Sequence, residues 1–283
     1  MSVRIYPLRT GSVRVKSAQC VRKPGGPLRV LVDPQWTDPL PIYAWLIDHP
    51  EGPIVVDTGE TSRAMDDGYF PSWHPYYRWA VEMDVGEGDE IGHRLSLLGI
   101  APSEVRTVVL THFHTDHAGG LHHFPKSRIW VSSGELAIAR GFLGRIRGYL
   151  PNRWPSGLDF RKIPFGRDAF GPFQAAYPLT RSGDVTIVPT PGHTPGHVSV
   201  LVTIEGVGYF LAGDASYSER TLLEKRPDGV TTDPWKAVDT LERILLFSRQ
   251  RPLVYLPAHD PESVSRLETG RTLSLPTGAG ASS

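Results

Sequence analysis

The chain carries a single cysteine, Cys20, in 283 residues. No internal disulfide is possible, so a disulfide-stapled secreted fold is excluded and a reducing cytoplasm is the expected compartment. No neighbouring cue would lower the pKa of Cys20, and a free, half-buried thiol is a plainer reading than a nucleophile. Neither sign of charge is in excess: 30 Lys and Arg meet 30 Asp and Glu. No basic block stands out, which argues against nucleic acid or an anionic membrane surface as partner. No apolar run approaches the length of a membrane span. The stretch from Met1 to Gln19 alternates polar and apolar residues and lacks a continuous signal-type apolar core. Internal repeats and domain-splitting linkers are also missing, so residues 1–269 are read as one domain. The tail 270–283, ending Thr277-Gly278-Ala279-Gly280-Ala281-Ser282-Ser283, is expected to be disordered.

Glycine and proline, by contrast, are plentiful and punctuate many short elements. Strands are expected at Val3–Leu8, Ser12–Ala18, Ile42–Ile47 and Ile54–Asp57. A helix is expected over Glu90–Leu98, stopped by Gly99. Ser127–Val131 reads as a strand, and Ser132 with Glu135 as a capping box opening a helix through Arg140. Further strands are expected at Asp184–Pro189, Val198–Ile204, Tyr209–Ala212 and Leu253–Leu256. Asp233-Pro234 opens a helix whose apolar face is read as Trp235, Val238, Leu241 and Leu245. Strands thus fall in two batches with helices after each, a pattern that two face-to-face sheets with outer helices would satisfy. Between residues 60 and 100 the aromatics Tyr69, Phe70, Trp73, Tyr76, Tyr77 and Trp79 crowd together. They read either as a lid insertion lining an apolar pocket or as ordinary packing. Phe142, Leu143, Ile146, Tyr149 and Leu150 form a second candidate wall.

The densest chemistry lies in His112-Phe113-His114-Thr115-Asp116-His117, directly after the β-branched run Val105–Thr111. Side chains repeat every second residue along a strand, so His112 and His114 leave its end on the same side. Asp116 and His117 follow in the next loop. Four metal-competent groups are more than one tetrahedral ion uses from a single segment. If His193, Asp214 and His259 join them, two ions side by side are the natural reading. Imidazole and carboxylate suit zinc and its neighbours, although manganese, cobalt and iron also accept them.

These residues resemble the metallo-β-lactamase superfamily. The resemblance rests on Thr111 to Gly120, Pro191-Gly192-His193-Thr194-Pro195-Gly196-His197, Gly213-Asp214, Ala258-His259 and Asp57-Thr58-Gly59. It implies an α/β fold, an αββα sandwich of two mixed β-sheets flanked by helices, with metals at one sheet edge. It also implies that His112, His114 and His193 hold one metal, Asp116, His117 and His259 the other, and Asp214 bridges them. His197 is then a loop support. His122 and His123 are expected to be outer-sphere or surface, and His49, His74 and His93 to be surface. Asp57 is read either as a partner for a ligand histidine or as a turn stabiliser. Flavo-diiron members of the superfamily usually carry glutamate where His114 stands, so a hydrolase is favoured.

Gly213-Asp214-Ala215-Ser216-Tyr217 and Ala258-His259-Asp260 most resemble N-acyl homoserine lactonases of the superfamily, which carry a tyrosine three residues after the bridging aspartate. The resemblance implies that a metal-bridging hydroxide opens a lactone ring, most simply an N-acyl homoserine lactone. Tyr217 would then stabilise the oxyanion, and Asp116 would deliver a proton to the leaving oxygen. A lactonase for a heteroaromatic lactone such as 4-pyridoxolactone is a close variant. A glyoxalase II-like thioester hydrolase ranks behind it. Those enzymes typically show Gly-Asp-Thr-Leu-Phe and add a helical C-terminal domain, whereas two dozen residues follow His259 here. A non-catalytic, metal-braced module is the reading from a different class. A small-molecule lactone is the expected partner, and a homodimer is compatible with the chain.

Overall fold

The computed structural model describes residues 2–274. Among them, twelve strands form two sheets. In chain order these are β1 (Arg4–Val15), β2 (Leu40–Asp48), β3 (Ile54–Val56), β4 (Val81–Asp84), β5 (Thr107–Val109), β6 (Arg128–Val131), β7 (Asp159–Lys162), β8 (Tyr177–Pro178), β9 (Val185–Pro189), β10 (Val198–Ile204), β11 (Val207–Gly213) and β12 (Leu253–Pro257). The first sheet has the order β4-β1-β2-β3-β5-β6-β7 and the second β12-β11-β10-β9-β8. Strands β3, β5, β6 and β7 run parallel, as do β11 and β12, so both sheets are mixed.

Period-two alternation builds the layers. In β2, Tyr43, Trp45 and Ile47 join the cluster between the sheets, while Ala44 and Leu46 face the helices outside. In β12, Val254 and Leu256 point inward to the same cluster, and Leu253 and Tyr255 point outward. Each such buried aliphatic or aromatic side chain stabilises the sandwich by about 1.5–3 kcal/mol. Polar substitution on either face of β2 would therefore unseat one of the two layers.

Four expectations change. The first two predicted strands are one, β1, bent at Gly11. Its φ of +111° and the approach of Asp84 O to 2.8 Å from a would-be Cβ admit only glycine there. Residues Ser17–Cys20, placed partly in a strand by the alternation, form a short helix instead. Ser132 makes no capping bond, because Glu135 turns into the core and accepts from Tyr149 Oη at 2.7 Å and Gly196 N–H at 3.1 Å. The long helix Pro234–Gln250 buries Ala237, Thr240, Leu241, Ile244 and Phe247, and leaves Trp235 86% exposed. The cause is close packing. Pro191-Gly192 presses onto Ala237, with only 2.4 Å between that Cα and a Cβ built on Gly192, so the helix turns its small residues to the loop carrying His193.

The 60–100 segment supplies β4, which pairs with β1 at the sheet edge. The helix expected at 90–98 spans Ile91–Leu97, followed by Gly99 at φ +76°. Gly270 caps the last helix and the Leu273 N–H bonds to Leu253 O. The rest of the expected tail, 275–283, lies outside the described residues. No helix among the described residues is long and apolar enough to cross a membrane.

Candidate metal centre

The C-terminal ends of β3, β5, β9, β11 and β12 meet at one edge of the sandwich. Their loops carry Asp57, His112 to His117, His193, Asp214 and His259 respectively, side chains held on a rigid frame. The structure brings all seven expected ligand residues together. His112 Nε2 lies 2.9 Å and His193 Nε2 3.1 Å from His114 Nδ1. His117 Nε2 and His259 Nε2 each lie 3.3 Å from Asp214 Oδ1, and Asp214 Oδ2 is 3.5 Å from His193 Nε2. Asp116 lies 3.4 Å from His259 and 4.0 Å from His117. The imidazoles are buried except for partial exposure at His114, and Asp116 is the other partly exposed member.

The far side of each ring decides what the near side offers. His117 Nδ1 faces Asp57 Oδ2 at 2.9 Å, His193 Nδ1 faces Asp228 Oδ2 at 2.8 Å, and His259 Nδ1 faces Pro41 O at 2.9 Å. These are acceptors, so the Nδ1 atoms carry protons and the Nε2 atoms present lone pairs inward. His112 follows the same logic. Thr111 Oγ1 spends its proton on Asp57, so it accepts from His112 Nδ1 at 3.0 Å. Three ring nitrogens then meet at His114 with at most one proton among them. His117 Nε2, His259 Nε2 and Asp214 Oδ1 are buried without a hydrogen-bond partner. Lone pairs facing lone pairs and a carboxylate repel unless protons or cations lie between them. The donor set of five imidazoles and two carboxylates fits a pair of divalent cations.

Without cations, protons take that role. Burial lowers the pKa of His117, but Asp214, Asp57 and Asp116 outweigh it and hold the ring well above the usual imidazole value. Burial likewise lowers His193, yet Asp228 and Asp214 lift it to about 9. His114 lies where burial and its histidine neighbours dominate, and it falls to about 3.

Support comes from several directions. Asp57 stands at φ +59°, a left-handed conformation costing about 1–3 kcal/mol for a non-glycine residue. It accepts from Thr111 N–H at 2.8 Å and faces His117 Nδ1 at 2.9 Å, so it partners a histidine across the fold instead of only bracing its own turn. His197 is buried, facing Thr190 Oγ1 through Nδ1 and accepting the Asp214 N–H at Nε2, which braces the loop as expected. Asp228 was missed. Pro227-Asp228-Gly229 reads as a turn, and nothing local says that it folds back onto His193. His49 and His74, expected at the surface, are buried: His49 pairs with Asp184 at 3.1 Å, and His74 meets Ile146 O at 3.0 Å. His93 is exposed, and His122 and His123 bond Glu90 away from the centre. Burial, then Asp228 and Asp214, pushes the Cys20 thiol up to about 12, which keeps it protonated and unreactive.

A cavity of about 450 Å³ opens over the cluster, lined by His114, Asp116, His193 and Asp214 on the polar side. Tyr76 and Tyr77 from the aromatic segment and Ile146 and Tyr149 from the second segment line it too. Trp73 and Trp79 do not; they are 61% and 54% exposed, and Phe142 is 82% exposed. Leu150 packs instead with Tyr69, and the Leu143 side chain lies outside the described set. Tyr217 sits at the cavity wall, its ring stacked on His259 with centroids 5.1 Å apart. Burial, reinforced by Asp214, raises its pKa well above the ordinary phenol value, so it stays a neutral donor.

The sequence profile of the Metallo-beta-lactamase superfamily matches residues 37–259. The chain belongs to this superfamily. Within it, the chain is 26% identical over 268 residues to the N-acyl homoserine lactonase AttM of Agrobacterium fabrum, covering 92% of this chain and 94% of that one. An N-acyl homoserine lactone hydrolase, solved with the product N-hexanoyl-L-homoserine at its catalytic metal centre, superposes with a TM-score of 0.77 at 24% identity. The overlap covers 94% of this chain and 96% of that one. The dizinc quorum-quenching lactonase AidC shares the fold with a TM-score of 0.64 at 16% identity, over 92% and 88% of the two chains. The αββα sandwich implied by the resemblance is thus the metallo-beta-lactamase fold.

Proposed function

We propose that this superfamily member is a metal-dependent lactonase, acting on N-acyl homoserine lactones in a reducing cytoplasm. His112, His114 and His193 would hold one divalent cation, Asp116, His117 and His259 a second, and Asp214 would be shared between them. Zinc is the cation proposed, from the nitrogen-rich donor set. When bound, such a pair supplies water ionised near neutral pH and electrophilic assistance at a carbonyl.

The chain's own groups do the rest. Tyr217 donates its O–H to the lactone carbonyl oxygen as charge gathers there, a preorganised contact that strengthens toward the transition state. Asp116 reaches both the cluster and the cavity. It takes the proton of the attacking water and passes it to the ring oxygen as the acyl–oxygen bond breaks. One water and one lactone become one open-chain hydroxy acid. The observation that carries this reading is the buried neutral phenol of Tyr217 beside Asp214 and His259 at the cavity wall. The same tyrosine-rich wall, with Tyr76, Tyr77 and Tyr149, favours a flat heteroaromatic lactone such as 4-pyridoxolactone as second reading.

The test is a rate comparison of N-hexanoyl homoserine lactone, 4-pyridoxolactone and a glutathione thioester, with zinc-loaded and chelated protein. Zinc-dependent turnover of the homoserine lactone is expected, with His114→Ala losing both turnover and one metal equivalent. Preference for the thioester would replace the reading, and two bound zinc ions without any turnover would point to a metal-braced module.

A further inference from the structure

Gln19 is 3% exposed and sits on the short helix Ser17–Cys20 at the cavity wall. Its Nε2 donates to two phenols at once, Tyr217 Oη at 2.7 Å and Tyr76 Oη at 2.9 Å. The opposite amide oxygen, Oε1, is buried without a partner. With Nε2 toward the phenols, the amide makes both hydrogen bonds and each phenol keeps its own hydrogen. Both N–H groups of the amide are then used. Each phenol oxygen already accepts one of them, and neither phenol O–H finds an acceptor among the described residues. Both hydrogens are therefore free for a guest in the cavity, where the two oxygens stand roughly 5 Å apart, the span of two N–H bonds diverging from one nitrogen.

The frame around this pair is stiff. Gln19 O accepts the N–H of Gly229, next to the Asp228 that orients His193. Tyr76 lies on the helix Pro75–Trp79, which is clipped to the opposite cavity wall by His74 to Ile146 O and by Tyr77 Oη to Gly148 O at 2.6 Å. Tyr217 is anchored on the other side, against His259.

We infer that Tyr76 is a second substrate-binding donor, paired with Tyr217 through Gln19, and that it selects lactones bearing a further carbonyl oxygen next to the scissile one. The inference rests on the lactonase reading and narrows it. An acylamino group on the carbon beside the ring carbonyl supplies such an oxygen a few ångströms away, and a plain alkyl lactone does not. Gln19 is a positioning residue: it touches no reacting atom, but it sets where both phenol hydrogens point.

The experiment compares N-hexanoyl homoserine lactone with γ-heptanolactone, the same ring without the acylamino arm, using the zinc-loaded protein. Tyr76→Phe is expected to lower the ratio of the two kcat/KM values by about ten- to a hundredfold, mainly through KM on the acylamino substrate. Gln19→Leu is expected to lower that ratio and also kcat on both lactones, since it releases both phenols. Adding Tyr76→Phe to Gln19→Leu then costs little more. Melting temperatures within a few degrees of wild type establish that the variants fold. An unchanged ratio in Tyr76→Phe, or losses in the two variants that simply multiply, overturns the inference while leaving the lactonase reading intact. A wild-type protein that opens neither ring ends both.

Discussion

Asp228 to Asn is the sharpest single perturbation of the centre. Asp228 Oδ2 accepts from both His193 Nδ1–H and Thr231 Oγ1–H, and Oδ1 accepts from Val230 N–H. An asparagine there has one acceptor end and one donor end. If its NH₂ faces Val230, that side-chain donor meets the Val230 N–H donor head-on. If it faces His193, the imidazole must shift its proton to Nε2 and lose the inward lone pair. Either outcome costs about 1–3 kcal/mol for the unsatisfied group. Outer partners of ligand histidines are typically worth about 10–100-fold in metal affinity, which corresponds to about 1.4–2.7 kcal/mol. The two routes agree in size. The assay is zinc retention against a competing chelator, followed at fixed pH, with circular dichroism to check folding. The apparent Kd for the ion that His193 would hold is expected to rise about 10–100-fold. A folded D228N protein that competes for zinc as well as wild type refutes the claim that Asp228 supports zinc binding through His193.

Other outcomes follow from the same geometry. Tyr217→Phe removes the phenol donor and keeps the ring on His259, so kcat should fall about 10- to 1000-fold with a smaller change in KM; equal losses in binding of the open-chain product would show a ground-state role instead. In metal-free protein, the His193 pKa of about 9 exceeds its unfolded value near 6.5, so its stabilising contribution is present below pH 6.5 and lost as pH rises toward 9. The melting temperature of the apo protein should fall across that window, while that of the zinc-loaded protein should rise as protons stop competing for the ligands; parallel trends would contradict the proton-for-cation exchange. Gly59→Ala would place a Cβ 2.0 Å from Thr10 Oγ1 at φ +66° and should destabilise the fold by about 3 kcal/mol or more, read by urea unfolding.

The strands and the candidate metal-binding residues were legible in the linear chain because both are local or periodic signals. Largely apolar runs mark β2, β10 and β12 as strands buried on both faces, and His112, His114, Asp116 and His117 fall within one turn and one strand end. His193, Asp214 and His259 also announce themselves, each sitting just past an apolar run. Helix faces were less legible. Trp235 looked like a core residue by spacing, but the approach of Gly192 to Ala237 rotates that stripe toward solvent. Partners joined only by the return of the chain carried no local mark at all. Asp228 sits in an ordinary Pro-Asp-Gly turn, and Gln19 lies 57 and 198 residues from the two phenols that it bridges.

What the amino-acid order determined by itself was the type of chemistry and the layers that carry it, since residue identity and two-residue periodicity need no distant contact to be read. What only the folded chain decided was which lone pairs face inward, which phenol hydrogens are left free, and which histidines are buried supports. Those depend on acceptors brought from far along the chain to within hydrogen-bonding distance, and a hydrogen bond made across the fold leaves no pattern in the sequence around either partner.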